Sequence, residues 1–332
     1  MEVLVLGHAE VRALLPMPAC VDVMVEALSA RARGEALQPL RQVMWLPDGR
    51  GGLASMPAFV APDALGAKLL TAFPGNSQSA YESHQGAVLL FEPEHGRLEA
   101  LLDASTVTAV RTAAVSGAAT RALARPDAQV LAVLGTGRQA ALHVEAMCAV
   151  RAIRTVRVWG RSAERASRLA QRVADAHGVA AEACATVADA VRGADIVCTT
   201  TASREVILPG RLLEAGSHVN AAGASVPGFR EVDSEALARA RVYVDSRESA
   251  ERESDELRIA LEEGAVPPDH VVGELGELFV QGVLGRQDAE EITLFKSHGL
   301  AVEDLAAARH VCAAARARGV GTRVEFGALR ES

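Results

Sequence analysis

The chain contains no Cys-x-x-Cys pair. Its five cysteines, Cys20, Cys148, Cys184, Cys198 and Cys312, are scattered and odd in number. That argues against a disulfide framework and a zinc site, so no metal centre is expected. The thiols read as buried groups in a reducing compartment. A basic excess is missing too, because 34 Lys and Arg stand against 42 Asp and Glu, for a net charge of −8. This speaks against a nucleic-acid partner and against a basic surface that would adhere to a membrane. No uninterrupted apolar run approaches the ~20 residues of a membrane span. The Met-Glu start lacks the basic-then-apolar pattern of a secretory leader. A cytoplasmic protein is therefore expected. Internal repeats and low-complexity linkers are also absent from the sequence.

What is present is a change of pattern along the chain. From Val130 onward, strand candidates alternate with helices: Val130–Leu134, Thr155–Trp159, Ile196–Thr200, His218–Ala222 and Val242–Asp245, with Ala180–Cys184 as a further short one. Between them lie stretches such as Ser162–His177, apolar at three- and four-residue spacing. This is the signature of a parallel sheet covered on both faces. Earlier, a helix over Pro18–Arg33 precedes short β-like runs at Arg41–Trp45, Gly52–Ala58, Ala67–Phe73, Gly86–Phe91 and Leu98–Leu102. Gly, Pro and Asn punctuate them, which predicts an antiparallel or mixed sheet. A small-residue helix over Thr106–Leu123 leads into the second region, and an amphipathic helix over Val302–Arg318 is expected to pack back on the first. The fold class is α/β: a Rossmann-type doubly wound domain over residues 118–302, and an α+β substrate and dimerisation domain from residues 1–117 and 303–332. The first region has too little helix to cover both faces of its sheet, so a homodimer is expected.

The segment Val130-Leu-Ala-Val-Leu-Gly135-Thr-Gly137-Arg-Gln-Ala140 reads as a strand, a glycine turn and a helix start. Gly135 permits the tight turn, Gly137 lets backbone approach a pyrophosphate, and Ala140 still allows close packing of helix on strand. The helix N-terminus then favours the phosphates. Thr136, Arg138 and Gln139 complete the loop. At the end of the next strand an acid would accept from the ribose hydroxyls of NAD, and none is there. Gly160-Arg161-Ser162 stands in its place. Arg161 can present a forked donor pair to a 2′-phosphate and Ser162 can cap the following helix and donate to the same group, so NADP(H) is favoured over NAD(H). Thr199, Thr200 and Thr201, Ala222 and Ser297 fall at strand ends where a bound dinucleotide is expected, and Ser225, at the same carboxyl edge, is placed to face the nicotinamide and the substrate. Arg111 and Thr112 are further cofactor candidates. The dense run Ser246–Glu256 reads as a solvated helix with i,i+4 pairs, and Phe295–Gly299 as the return from a hairpin-like segment.

Two cations stand out in apolar surroundings. Lys68 lies within Ala-Leu-Gly-Ala-Lys68-Leu-Leu. Buried, its pKa would fall into the range useful for proton transfer; facing out, it would be an ordinary edge-strand lysine. Arg111 sits on a helix of small residues, where it either holds an anion such as a substrate carboxylate or forms an interdomain salt bridge. Arg41 is a second anion-binding candidate, equally readable as a surface residue. His84 could line the same site or be structural.

In this order, Met56-Pro-Ala, Gly66-Ala-Lys68, Ser83-His-Gln85, Leu89-Leu-Phe91, Thr108-Ala-Val-Arg111-Thr-Ala-Ala, Gly135-Thr-Gly137-Arg-Gln-Ala140, Asn220-Ala-Ala-Gly223, Tyr243-Val-Asp-Ser246, Thr293-Leu-Phe-Lys-Ser297 and Val302-Glu-Asp304 resemble the ornithine cyclodeaminase and mu-crystallin family. The resemblance runs from about Arg41 to about Asp304. It implies a Rossmann domain, a second domain that pairs two subunits through its sheet, a proton-transfer role for Lys68, and a carboxylate-binding role for Arg41 and Arg111. The family includes ornithine cyclodeaminases, alanine dehydrogenases and reductases of cyclic ketimines such as Δ1-pyrroline-2-carboxylate and Δ1-piperideine-2-carboxylate. Gly160-Arg161-Ser162 resembles the NADPH-using ketimine reductases. Ser225 stands where cyclodeaminases and alanine dehydrogenases commonly carry Asp. Gly223-Ala-Ser225, Pro227 and Arg230-Glu-Val-Asp233 match the mu-crystallin pattern. The sequence departs from the family at Tyr81-Glu82, where Pro is usual, and at Arg252-Glu-Ser-Asp255, where a glycine is often found. Reduction of an imino acid is thus the expected reaction. Cyclising or oxidative amino-acid chemistry is the alternative, and a non-catalytic NADPH- or small-ligand-binding protein is a second one.

Overall fold

The computed structural model describes residues 2–327, and the chain divides into two units, Met1–Arg111 with Leu300–Ser332, and Thr112–Gly299. The borders therefore fall within the helix that links the two regions and just before the C-terminal helix, each slightly earlier than the sequence pattern suggested.

The first unit opens with β1 (Glu2–Leu6) and helices α1 (His8–Leu14) and α2 (Met17–Ala32). It continues through β2 (Ala36–Leu37), β3 (Gln42–Trp45), β4 (Gly52–Val60), β5 (Ala64–Ala72), β6 (His84–Phe91) and β7 (Leu98–Asp103) to helix α3 (Ala104–Leu123). Its mixed sheet runs from the strand Thr322–Glu325 through β1, β7, β6, β5 and β4 to β2, with β3 also paired to β4. Strands β4 to β7 pair antiparallel, and β1 joins β7 in parallel. Alternation along the strands sorts the side chains. Met56, Ala58, Ala64, Lys68, Leu70, Val88 and Leu90 are buried, on a face packed by the helix Ala301–Arg318, which itself packs on α2. Leu53 and Leu69 point the other way and are exposed, as are Met44 and Trp45 on the edge strand. The one-sided covering expected from the sequence is thus present within this unit. The alternation also resolves Lys68, which lies on the covered face.

The second unit is an all-parallel sheet of β8 (Val130–Leu134), β9 (Thr155–Trp159), β10 (Ala180–Ala183), β11 (Ile196–Thr199), β12 (His218–Ala221), β13 (Ala240–Val244), β14 (Val271–Glu274) and β15 (Ile292–Lys296), in the order β10-β9-β8-β11-β12-β15-β13-β14. The sheet grows outward in both directions from the β8/β11 pair, which makes that junction the topological switch point of a doubly wound fold. Helices α4 (Arg138–Val150) and α5 (Ala163–His177) connect the first strands.

Two expectations are corrected. The segment around Phe295 does not return from a hairpin: β15 lies between β12 and β13, parallel to both. Its residues are buried throughout, as a central parallel strand requires. The charged run Ser246–Glu256 is not one solvated helix. It breaks at Ser254 into the helices Arg247–Glu253 and Asp255–Glu262, and Glu256 is buried. Its carboxylate turns inward because a buried ammonium and two backbone amides lie there in need of an acceptor.

Candidate functional site

The glycine turn follows β8 directly. Gly135 has φ of 137°, and a Cβ there would collide with the Thr200 side chain. The Gly135 amide donates to the Trp159 carbonyl (2.8 Å), which ties the turn to the end of β9. A Cβ on Gly160 would come within 2.5 Å of the Thr136 methyl, so the two loops pack in close contact. Gly137 differs, because a Cβ there would meet nothing within 4 Å. It is the N-cap of α4 and supplies no side-chain cap, so the helix begins at an open, backbone-lined space that suits a pyrophosphate. Arg138 and Gln139 open this helix, both half-buried. The residues present fit a dinucleotide.

At the end of β9, Arg161 is exposed and Ser162 accepts from the Arg165 amide (3.3 Å) as the N-cap of α5. Along α5, Arg165, Arg168, Gln171 and Arg172 line an open cleft together with Thr136 of the glycine turn. Three arginines thus face the turn in a chain of negative net charge.

The threonines after β11 are placed differently from one another. Thr200 donates to the Leu134 carbonyl (3.2 Å), whereas the hydroxyls of Thr199 and Thr201 both donate to Glu231. Ala222 and Ser225 follow β12 and are half-buried. Ser297 follows β15, is buried, and donates its amide to the Ala221 carbonyl (3.1 Å).

The first unit holds a separate cluster. Lys68, on β5, forms an ion pair with Asp304. Arg111 donates from Nε to Asp304 (2.8 Å) and from Nη1 to Glu303 (2.8 Å). All four side chains are buried. Glu303 and Asp304 stand in the first turn of the helix Ala301–Arg318, and Glu303 also accepts from the Leu300 amide (3.2 Å). Burial lowers the Lys68 pKa to about 8; Asp304 opposes this, while the charges of Arg111 and Arg41 assist it. For Asp304, burial acts upward, but Arg111 and Lys68 outweigh it and hold the carboxyl below its usual range. His84 opens β6 with its surface exposed. Partial desolvation, and then the Lys68 ammonium, keep its ring below the ordinary imidazole value. Lys68, Arg111, Arg41 and His84 therefore act on one electrostatic neighbourhood. Thr112, the first residue of the second unit, is half-buried.

Glu303, Asp304 and Glu231 were not anticipated as site residues. Glu303-Asp304 carries the ordinary signature of a helix start, acids in the first turn, and that signal masks any second role. The usable clue was two acids opening an Ala-rich helix in a chain with two cations set among apolar residues.

Chemically, the cluster offers an ammonium that can give up a proton near neutral pH, pinned by a carboxylate, beside guanidinium charge suited to an anion.

A model of the ornithine cyclodeaminase/mu-crystallin family matches residues 1–319. The chain is 43% identical to the ketimine reductase mu-crystallin of Mus musculus over 281 residues, 84% of this chain and 85% of that protein. Among solved structures, it superimposes with a TM-score of 0.94 on a Δ1-pyrroline-2-carboxylate reductase of Thermococcus litoralis in complex with NADH and L-proline, at 31% identity, covering 97% of this chain and all of that one. An archaeal alanine dehydrogenase dimer with bound NAD gives a TM-score of 0.93 at 32% identity, covering 98% of this chain and all of that one.

Proposed function

Since the chain belongs to the ornithine cyclodeaminase/mu-crystallin family, we propose that it is an NAD(P)H-dependent reductase of the C=N bond of an imino acid, a cyclic ketimine such as Δ1-pyrroline-2-carboxylate or Δ1-piperideine-2-carboxylate. The observation that carries this reading is Lys68, a buried lysine with a pKa near 8, ion-paired to Asp304. Ketimine reduction needs a proton on nitrogen as well as a hydride on carbon, and a buried ammonium of this acidity supplies it near neutral pH. The bound nicotinamide supplies the hydride to the imine carbon. Asp304 holds the Lys68 ammonium in place, and Arg111, braced by Glu303 and Asp304, presents guanidinium charge to the substrate carboxylate. Arg41 adds a second cation for that carboxylate. His84 adds a polar side chain to this carboxylate site, and in the other unit Ser225 is a substrate-side candidate beyond β12. The product is the saturated amino acid, with one C–H and one N–H bond formed.

The glycine turn, with Gly135, Thr136, Gly137, Arg138 and Gln139, holds the cofactor pyrophosphate. Gly160, Arg161 and Ser162 receive the adenosine end, and the loops of Thr199 to Thr201, Ala222 and Ser297 the other. NADP(H) is preferred over NAD(H): no acid follows β9, Arg161 is exposed there, and Arg165, Arg168 and Arg172 line the adjoining cleft. The active species is a homodimer, formed through the uncovered face of the first unit's sheet.

The discriminating experiment measures NADPH oxidation with the two cyclic imines against ammonia release from L-ornithine. Turnover of an imine with NADPH is the expected result. Ammonia release without NADPH oxidation on any imino acid would replace the reductase with a cyclodeaminase.

A further inference from the structure

Beyond the carboxyl ends of β11 and β12 lies a second set of buried charges with no role in the mechanism above. Glu231 is fully buried and accepts four hydrogen bonds. One carboxylate oxygen takes the Thr201 amide (2.6 Å) and hydroxyl (2.7 Å); the other takes the Thr199 hydroxyl (2.7 Å) and the Gly223 amide (2.8 Å). The Thr201 hydroxyl itself accepts from the Ser203 amide (3.2 Å), which directs its own proton to Glu231. Each oxygen thus faces an amide, which can only donate; burial pushes the Glu231 carboxyl up, with Glu256 adding to it, while the Thr199 and Thr201 donors pull it down toward the ionised form. A Cβ on Gly223 would lie 2.5 Å from the nearer oxygen, so glycine is needed for this approach.

Glu256 stands behind Glu231. It accepts the amides of Glu231 (2.6 Å) and Val232 (2.9 Å) and pairs with the Lys296 ammonium (2.7 Å), which also donates to the Ala224 carbonyl. The Lys296 charge is thereby matched by Glu256. Glu231 is met by hydroxyls and amides, and the charge acting on it is another carboxylate, that of Glu256. With Glu231 held ionised by its four donors, the group of three carries one negative charge in excess, in a region where each member is at most 1% exposed.

In a doubly wound sheet the dinucleotide spans the switch point, one mononucleotide over each half. The glycine turn and Arg161 mark the β8–β9 side for the adenosine half, which leaves β11 and β12 for the nicotinamide half. We propose that Glu231 is the electrostatic counterpart of the oxidised nicotinamide ring: its excess negative charge favours the cationic ring over the neutral reduced one and so sets the relative affinity for the two cofactor states. It acts through its field rather than by contact, while its hydrogen bonds position the Thr201 and Gly223 backbone. The proposal rests on the nicotinamide reading above. Loss of hydride leaves a positive ring, and a buried charge is weakly screened, so the same field assists hydride departure.

The test titrates NADP+ and NADPH separately into the full-length protein, as wild type, Glu231→Gln and Thr199→Val. Glu231→Gln should weaken NADP+ more than NADPH, by about tenfold in the ratio of the two dissociation constants. Thr199→Val removes one donor but keeps the charge, and should move both constants alike. Equal weakening of both forms in Glu231→Gln would show that the carboxylate only braces the loops, and would overturn the proposal. Should Glu231→Gln not fold, Glu256→Gln reads the same quantity, because it unmasks the Lys296 charge beside Glu231 and should shift the ratio the same way; an unchanged ratio there overturns the proposal too. A wild type that binds neither cofactor form would sink the nicotinamide reading itself, and this inference with it.

Discussion

Lys68 is where sequence, burial and chemistry converge on a single atom. A lysine on the covered face of β5 survives there because Asp304 pairs with it, yet desolvation still wins and brings its pKa to about 8. The sign of the pH effect follows. With the ammonium as the proposed proton donor, kcat/KM for imine reduction should fall as pH rises through about 8, the free-enzyme value. A rate flat across that range would remove Lys68 from the proton path. Lys68→Ala should lower turnover by roughly 10²–10⁴-fold while NADPH binding stays near normal. A folded Lys68→Ala variant with near-normal turnover would make this an ordinary strand lysine. Arg111 behaves differently because it has two tasks. In the proposed reaction it faces the substrate carboxylate, and in the structure it braces Asp304, hence Lys68. Arg111→Ala should therefore raise KM and lower kcat together, and it leaves two buried carboxylates short of a partner, at a stability cost of about 3–5 kcal/mol. Arg111→Lys, which keeps the charge and loses the fork, should recover more stability than KM. Thermal melts beside the kinetics separate the two effects, and a KM unmoved in a folded Arg111→Ala variant would rule out the carboxylate contact.

At the scale of elements, the proposed cofactor preference rests on the β8–turn–α4 unit and the end of β9. Arg161 is exposed at the β9 end, where a charge-assisted pair to a phosphate contributes about 1.5–3 kcal/mol. Arg161→Ala should thus weaken NADPH roughly 10–100-fold and NADH far less, read by fluorescence titration of each cofactor. Equal losses would mean that the adenosine phosphate is not its ligand. This unit was legible in the sequence because everything that defines it is local: an apolar strand of five residues, two glycines at fixed spacing, and a helix start. Strands β8 and β9 accordingly fall at the expected residues. The rest was hidden for one physical reason. Whether a charge is buried depends on partners supplied by distant segments. Glu303 meets Arg111 across 192 positions, and Glu256 looks solvated until Lys296 of β15 is placed beside it. Strand β1 escaped notice because a short apolar run at the start of a chain carries no periodicity of its own until β7 pairs with it.

At the scale of the whole molecule, the first unit's sheet is incomplete on its own. The helix Ala301–Arg318 covers one face. The other presents Leu53 and Leu69 beside Met44 of the edge strand, with Met44 63% exposed. A contiguous apolar face with its edge strand uncovered is a surface that a folded protein covers, and a second copy of the same face does so with two-fold symmetry. The expected state in solution is therefore a homodimer at micromolar concentration. Met44→Glu with Leu69→Glu would place two carboxylates in the dry centre of that contact. An unpaired charge buried in such a contact costs about 3 kcal/mol or more, roughly 100-fold in dissociation. The variant should sediment as a monomer while its dinucleotide loop, which lies in the other unit, still binds NADPH. Two results would count against the assignment: a wild type that scatters light as a monomer, or a double variant that remains a dimer. The second would place the contact on a different face, and a charge scan of that face would then have to replace this one.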